Sequence, residues 1–243
     1  MRLKLIGFSV AGALCLTALP FSAGVQEVQA VQHVPKAVHA AEPIEPLARF
    51  ELEPEGGISP EVLDLALNAV QCGVERGDLE PPPTLTVIDY SKPSVEPRLW
   101  VFDMTRGELL FNELVAHGRN TGENMSVHFT DAMNSHQSSL GLFVTDETYV
   151  GSNGYSLRLN GLEPGFNGRA RERAIVMHGA PYVNETLASK QGRIGRSWGC
   201  PALREAVARD VIDTIRGGGV VFSYYPDSDW LKSSRFLNCG ETT

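Results

Sequence analysis

Apolar and polar residues follow two different periods along this chain, and the change of period marks its parts. Ser59-Pro60-Glu61 reads as a helix start, with a serine N-cap, a proline in the first turn and an acid near the positive end of the dipole. Val62, Leu65, Ala66, Ala69 and Val70 then form one apolar stripe, which predicts a leading helix over 59–72 that Gly73 can end. Pro81-Pro82-Pro83 separates this helix from the rest of the chain. Beyond the prolines the period shortens. Leu85–Asp89, Leu99–Asp103, Leu109–Val115, Leu140–Thr145, Tyr155–Leu159, Ala174–Met177 and Val220–Tyr225 are rich in β-branched or aromatic residues and read as strands. Gly, Asn, Asp or Pro lie between them. One late helix, Arg204 to Arg216, carries Val207, Val211, Ile212 and Ile215 on one side and stops at Gly217. The pattern predicts a mainly-β domain with one helix before it and another near its end, without internal repeats.

The N-terminus carries a different signal. Arg2 and Lys4 precede an apolar run from Leu5 to Leu19, Pro20 breaks it, and Ser22, Ala23 and Gly24 come next. This describes a secretory signal peptide over 1–24, with cleavage after Gly24 or Ala30. An uncleaved anchor is the competing reading, although the run is short for a membrane-spanning helix. Residues 25–57 are rich in Ala, Val, Pro and Glu without a sustained period and read as a linker, or as a strand docking on the body. The folded body is expected over 58–235, with a C-terminal tail over 236–243.

Composition narrows the function. The chain has 243 residues, 42% hydrophobic and 21% charged, enough for one core-bearing domain with extensions. Its net charge of −8 argues against a nucleic-acid partner, and losing the signal peptide removes two more positive charges. No second long apolar stretch occurs, so the mature chain is expected in a periplasmic or extracellular space with no stable membrane insertion. The four cysteines show no C-x-x-C spacing, against a zinc ribbon or a thioredoxin-type pair. His117, His128 and His136 suggest a metal only weakly, since no H-E-x-x-H is present, and no metal is expected.

Candidate chemistry concentrates late in the chain. A strand delivers His178 at its end, in Val176-Met177-His178-Gly179. A glycine-bearing turn, Arg196-Ser197-Trp198-Gly199-Cys200-Pro201, delivers Cys200 ahead of the late helix. A thiolate is the nucleophilic form of cysteine, and a nearby imidazole can take the proton and hold an ion pair. Gly199 permits a tight bend, so amides around Ser197–Cys200 can converge on an oxyanion. The carbonyl of Gly179 or a neighbour can fix the His178 tautomer. Against this stand a buried structural cysteine and a satisfied core histidine.

The set His178-Gly179 and Ser197-x-Gly199-Cys200 resembles the YkuD-type L,D-transpeptidases. Three segments are most similar to the murein L,D-transpeptidase catalytic-domain branch: His117-Gly118-Arg119, Ser135-His136-Gln137-Ser138-Ser139-Leu140-Gly141, and Arg196 through Pro201. Ser138 to Phe143 also looks like that family's Thr-Pro-x-Gly-x-Phe strand entry. The likeness runs from about Leu85 to Pro226. It implies a YkuD-like β-sandwich or barrel-like catalytic domain, with a helix after the catalytic cysteine and no cofactor. It also implies a thioester on Cys200, His178 as base, peptidoglycan stem peptides as donor and acceptor, and acylation by carbapenems. Trp198 stands where the commoner motif has His, and Ala202 where it has Arg or Asn, so substrate carboxylate binding falls to Arg196, Arg158 or Arg204. Trp198 and His136 are expected to line the cleft, or merely to pack. A hydrolase using the same site, L,D-carboxypeptidase or wall-protein-releasing amidase, and a silent wall-binding module are the alternatives. With Cys15 removed and Cys200 catalytic, Cys72 and Cys239 either form a disulfide or stay free.

Overall fold

The computed structural model describes residues 56–239. The expected signal peptide, nearly all of the 25–57 linker and the last four residues of the tail lie outside them. Helix α1 spans Pro60–Glu75, with the Ser59 side chain accepting from the Val62 N–H. It runs past Gly73, the expected stop. Leu79 folds back so closely on Gly73 that a Cβ there would clash, and the Gly73 carbonyl takes the N–H groups of Asp78 and Leu79. That glycine therefore serves close approach and not helix termination.

The strands are β1 (Thr84–Asp89), β2 (Leu99–Asp103), β3 (Glu108–Glu113), β4 (Val115–Ala116), β5 (Gly141–Gly151), β6 (Gly154–Gly161), β7 (Val176–Gly179), β8 (Ala202–Leu203) and β9 (Val220–Tyr224). Among them lie α2 (Glu185–Gln191) and α3 (Glu205–Ile215), with α4 (Ser228–Ser233) after β9. Among the described residues the strands make one sheet, in the order β3-β2-β1-β9-β5-β6-β7-β8-β4. Its two edge strands, β3 and β4, are separated in the chain by Leu114 alone. The sheet must therefore curl until its edges meet, giving a nearly closed, barrel-like, mainly-β fold. The expected strand Leu109–Val115 is really these two edges, divided at Leu114.

Strand β1 is buried along its whole length, Thr84, Thr86 and Asp89 included, and β2, buried along most of its own, reads as an apolar run from Leu99 to Phe102. Leu85, Val87, Trp100, Phe102 and Phe222 face a core completed by α1, Trp230 of α4 and Phe236. Ile88, Leu99, Val101 and Val221 face a second core with Val211, Ile212 and Ile215 of α3. Burying each of those α3 side chains is worth roughly 1.5–3 kcal/mol. Phe236, assigned from sequence to the tail, is thus part of the body.

A charged pair at the seam and a disulfide elsewhere tie distant parts of the chain together. Arg204, between β8 and α3, grips Glu113 at the end of β3 with Nε–Oε2 at 2.9 Å and Nη2–Oε1 at 2.8 Å. Cys72 of α1 is bonded to Cys239 across 167 residues, their Cα atoms 5.8 Å apart. No helix among the described residues is long and apolar enough to cross a membrane.

A cross-link over so long a loop restricts the unfolded chain, by typically 2–4 kcal/mol. Replacing Cys72 and Cys239 together by serine is expected to lower the melting temperature by about 5–15 °C. An unchanged calorimetric midpoint would show that the bridge contributes nothing.

Candidate active site

Strands β7 and β8 run parallel, with His178 opposite Ala202 and Gly179 opposite Leu203. Cys200 lies two residues before Ala202, so this short ladder brings the cysteine turn to the strand that carries the histidine. The two residues line one cleft of about 570 Å³, together with Gly179, Arg196, Ser197 and Trp198.

Cys200 is buried, the whole residue being 7% exposed. The Val176 N–H donates to Cys200 Sγ at 3.5 Å, and the thiol donates to the Ala174 carbonyl at 3.8 Å. Burial pushes the thiol pKa up, partly countered by the Val176 N–H and the charge of Arg173. His178 Nδ1 lies 2.9 Å from the Gly179 carbonyl, which can only accept. Nδ1 therefore carries the proton, and Nε2 holds the free lone pair. Burial lowers the His178 pKa, against the raising effect of that hydrogen bond. Both shifts favour the neutral forms. Burial thus works against the ion pair expected from sequence, and the pH dependence of Cys200 reactivity is what tests it.

The turn itself is fixed from both sides. Gly199 has φ +119°, and a Cβ there would stand 2.7 Å from the Gln137 carbonyl oxygen. The Ser197 hydroxyl accepts from the Gly199 N–H at 3.0 Å and donates to the Cys200 carbonyl at 2.6 Å. The Gly199 N–H is thereby committed, so it is not a free oxyanion donor in this state. Ser138 donates to the Gly199 carbonyl at 3.1 Å while accepting from the Gly118 N–H at 3.0 Å.

The other expected site residues separate clearly. Trp198 is 70% exposed, and His136 stacks on its indole with centroids 4.8 Å apart. His136 does not line the larger cleft. It borders a smaller groove of about 220 Å³ on which Trp198 also opens. Arg196 lines the main cleft with Nη1 tied to the Arg119 and Gly122 carbonyls and to Glu123. Arg158 is not brought to the site. It pairs with Glu147 at 2.8 Å and lies over the Tyr149 ring. Arg204 is held at the sheet seam by Glu113.

Sequence reasoning missed several neighbours. Tyr182 and Glu205 line the cleft, as does the β5–β6 turn at Ser152–Gly154. Burial pushes the Tyr182 hydroxyl up to about 12, so it remains a donor. Arg173, with a side chain only 3% exposed, holds Thr130, Ser135, Gln137 and Ser139 through four hydrogen bonds. Its position four residues before Met177 gives no pattern that separates it from the surface arginines around it.

The chain belongs to the family described as L,D-transpeptidase catalytic domain, whose model matches residues 54–224. Among solved structures it is similar to an L,D-transpeptidase from Mycobacterium smegmatis, at 15% identity and a TM-score of 0.38. That match covers 59% of this chain and 59% of the mycobacterial one, so the chain spans well under two thirds of that relative. It is also similar to an L,D-transpeptidase from Stackebrandtia nassauensis, at 15% identity and a TM-score of 0.37, over 71% of this chain and 73% of the other. The helical cell shape determining protein Pgp2 from Campylobacter jejuni matches at 11% identity and a TM-score of 0.38, over 64% and 55%. No curated protein sequence matches the chain.

A thiol pKa raised by burial has a direct kinetic signature. The Cys200 thiolate should form only above the ordinary thiol range of about 8.5. Alkylation by iodoacetamide, followed by mass spectrometry, is expected to be slow at neutral pH and to climb steeply in the alkaline range. A plateau already reached in mildly acidic buffer would mean a resting thiolate–imidazolium pair.

Proposed function

We propose that this chain is a peptidoglycan L,D-transpeptidase that works through a thioester on Cys200, in an extracytoplasmic compartment reached through its N-terminal signal. The observation that carries the reading is the placement of Cys200 and His178 in one cleft, with His178 Nδ1 held by the Gly179 carbonyl. This arrangement leaves Nε2 as the base. Nε2 takes the thiol proton as the sulfur attacks the carbonyl carbon of the diamino-acid residue in a donor stem tetrapeptide. Cys200's own N–H, at the head of the turn, is the donor offered to the developing oxyanion. The C–N bond to D-Ala breaks, and the imidazolium returns the proton to the departing amine.

The amine of a second stem then attacks the thioester. His178 accepts its proton and passes it to the leaving sulfur, so thiol and imidazole are regenerated and a cross-link is formed. The site calls for no redox or group-carrying cofactor, because each step moves only protons and an acyl group. Arg196, which lines the cleft, is the cation we assign to a substrate carboxylate. Trp198 and Tyr182 form walls against the peptide, and Ser197 with Gly199 keeps the turn in shape.

The test supplies a defined tetrapeptide muropeptide with and without an acceptor stem. Free D-Ala together with a cross-linked dimer is expected. D-Ala release with tripeptide as the only product would mean a carboxypeptidase, and no turnover would favour a binding module. Cys200→Ala should abolish product. His178→Asn should cut kcat by about 10²–10⁴-fold, the usual worth of a positioned base. An active Cys200→Ala variant would remove the mechanism altogether.

A further inference from the structure

Arg98 is fully buried. No carboxylate lies within hydrogen-bonding reach of its guanidinium among the described residues. Nε and Nη2 donate to the Val115 carbonyl at 3.1 and 2.9 Å, and Nη1 donates to the Lys92 carbonyl at 2.8 Å. Nη2 also meets His117 Nδ1 at 2.7 Å. A guanidinium only donates, so His117 Nδ1 accepts and the ring proton sits on Nε2, which reaches the Gly122 carbonyl at 3.2 Å. His117 is itself fully buried, and burial beside Arg98 drives its pKa down to about 3, which keeps the ring neutral. The proposed acyl transfer uses neither residue.

What they hold is the strip that templates the cysteine turn. The His117 carbonyl accepts from the Ser197 N–H at 2.9 Å, and the Arg119 N–H donates to the Ser197 carbonyl at 2.8 Å. Gly118 thereby pairs with Ser197 as a parallel bridge. Gly118 lies so close to the turn that a Cβ would stand 3.0 Å from the Gly199 Cα and 2.4 Å from the His136 carbonyl oxygen. The Gly122 carbonyl that receives His117 Nε2–H also receives Arg196 Nη1 at 2.9 Å.

We infer that Arg98 and His117 are positioning residues for the nucleophile: the guanidinium fixes the imidazole, the imidazole fixes the 117–122 strip, and the strip sets the Ser197–Cys200 turn. A single geometry satisfies all these donors and acceptors at once, because a buried guanidinium deprived of one acceptor is costly. The inference rests on the acyltransferase reading of the cleft, and one arm of its test does not depend on that reading.

The test compares two reactions of Cys200 in the full chain: acylation by imipenem, which needs the aligned turn, and alkylation by iodoacetamide, which needs only access. His117→Leu removes the ring's hydrogen bonds to Arg98, Ser126 and Gly122. Acylation is expected to fall about 10- to 100-fold, as a displaced reacting group does, while alkylation rises because the covered sulfur is released. His117→Asn, which keeps an acceptor for Arg98, should recover most of the acylation rate. A folded His117→Leu variant with both rates unchanged, or with both falling in parallel with its melting temperature, overturns the inference. If His117→Leu does not fold, Arg98→Lys carries the same two measurements, since it keeps the charge and gives up the fork. Should the wild-type chain fail to react with imipenem, the enzyme reading fails. The alkylation rates then decide positioning alone, a rise supporting it and no change overturning it.

Discussion

The architecture depends on one constraint: among the described residues, a nine-stranded sheet has edges that are consecutive in the chain. With only Leu114 between β3 and β4, the sheet cannot stay open, and β4 is carried round to pair with β8 as the opposite edge. That closure carries Arg98 and Glu113 to the same seam as β8, where Glu113 meets Arg204. It also fixes β8 against β7, so that Cys200 arrives beside the end of the strand bearing His178. Neither side chain could be set by its own loop. The register of two short strands and the seam next to them do it.

The site built at that seam disfavours charge on either partner. Burial raises the cysteine and lowers the histidine, and the imidazole is oriented by a backbone carbonyl. The cation that most affects the sulfur is Arg173, whose donors are spent on the 130–139 segment and not on the thiol. On the proposed mechanism, proton transfer from Cys200 to His178 then accompanies attack on a bound carbonyl.

Much of this is legible in the sequence, and the failures have physical causes. The apolar stripe of α1, the strands around Leu85, Leu99 and Val220, and α3 are written in local periodicity, because each buries a face or a whole strand. The division of Leu109–Val115 into two edges is not, since closure is a long-range event with no local residue to announce it. Ala174 reads as part of a strand from its neighbours, yet it has φ +54° and stands just outside β7, its carbonyl turned to the sulfur. The motif residues Cys200, His178, Ser197 and Gly199 stand out because turn chemistry and nucleophile chemistry coincide there. Arg158 is expected at the cleft and lies elsewhere, because a strand's alternation does not say which neighbour claims a long side chain, and Glu147 claims this one. Arg98 escapes sequence reasoning because a buried arginine satisfied by carbonyls and an imidazole leaves no paired acid in the pattern, and Arg173 because its acid, Asp131, lies 42 residues away in the chain.

The mechanism stands most directly on where the acyl group goes. Rapid quenching of the full chain with a tetrapeptide donor, followed by peptide mapping under acid conditions that preserve thioesters, would locate it. The donor acyl group, less D-Ala, is expected on the peptide containing Cys200. A thioester-free Cys200 during active turnover, or the acyl group on any other residue, would contradict the account.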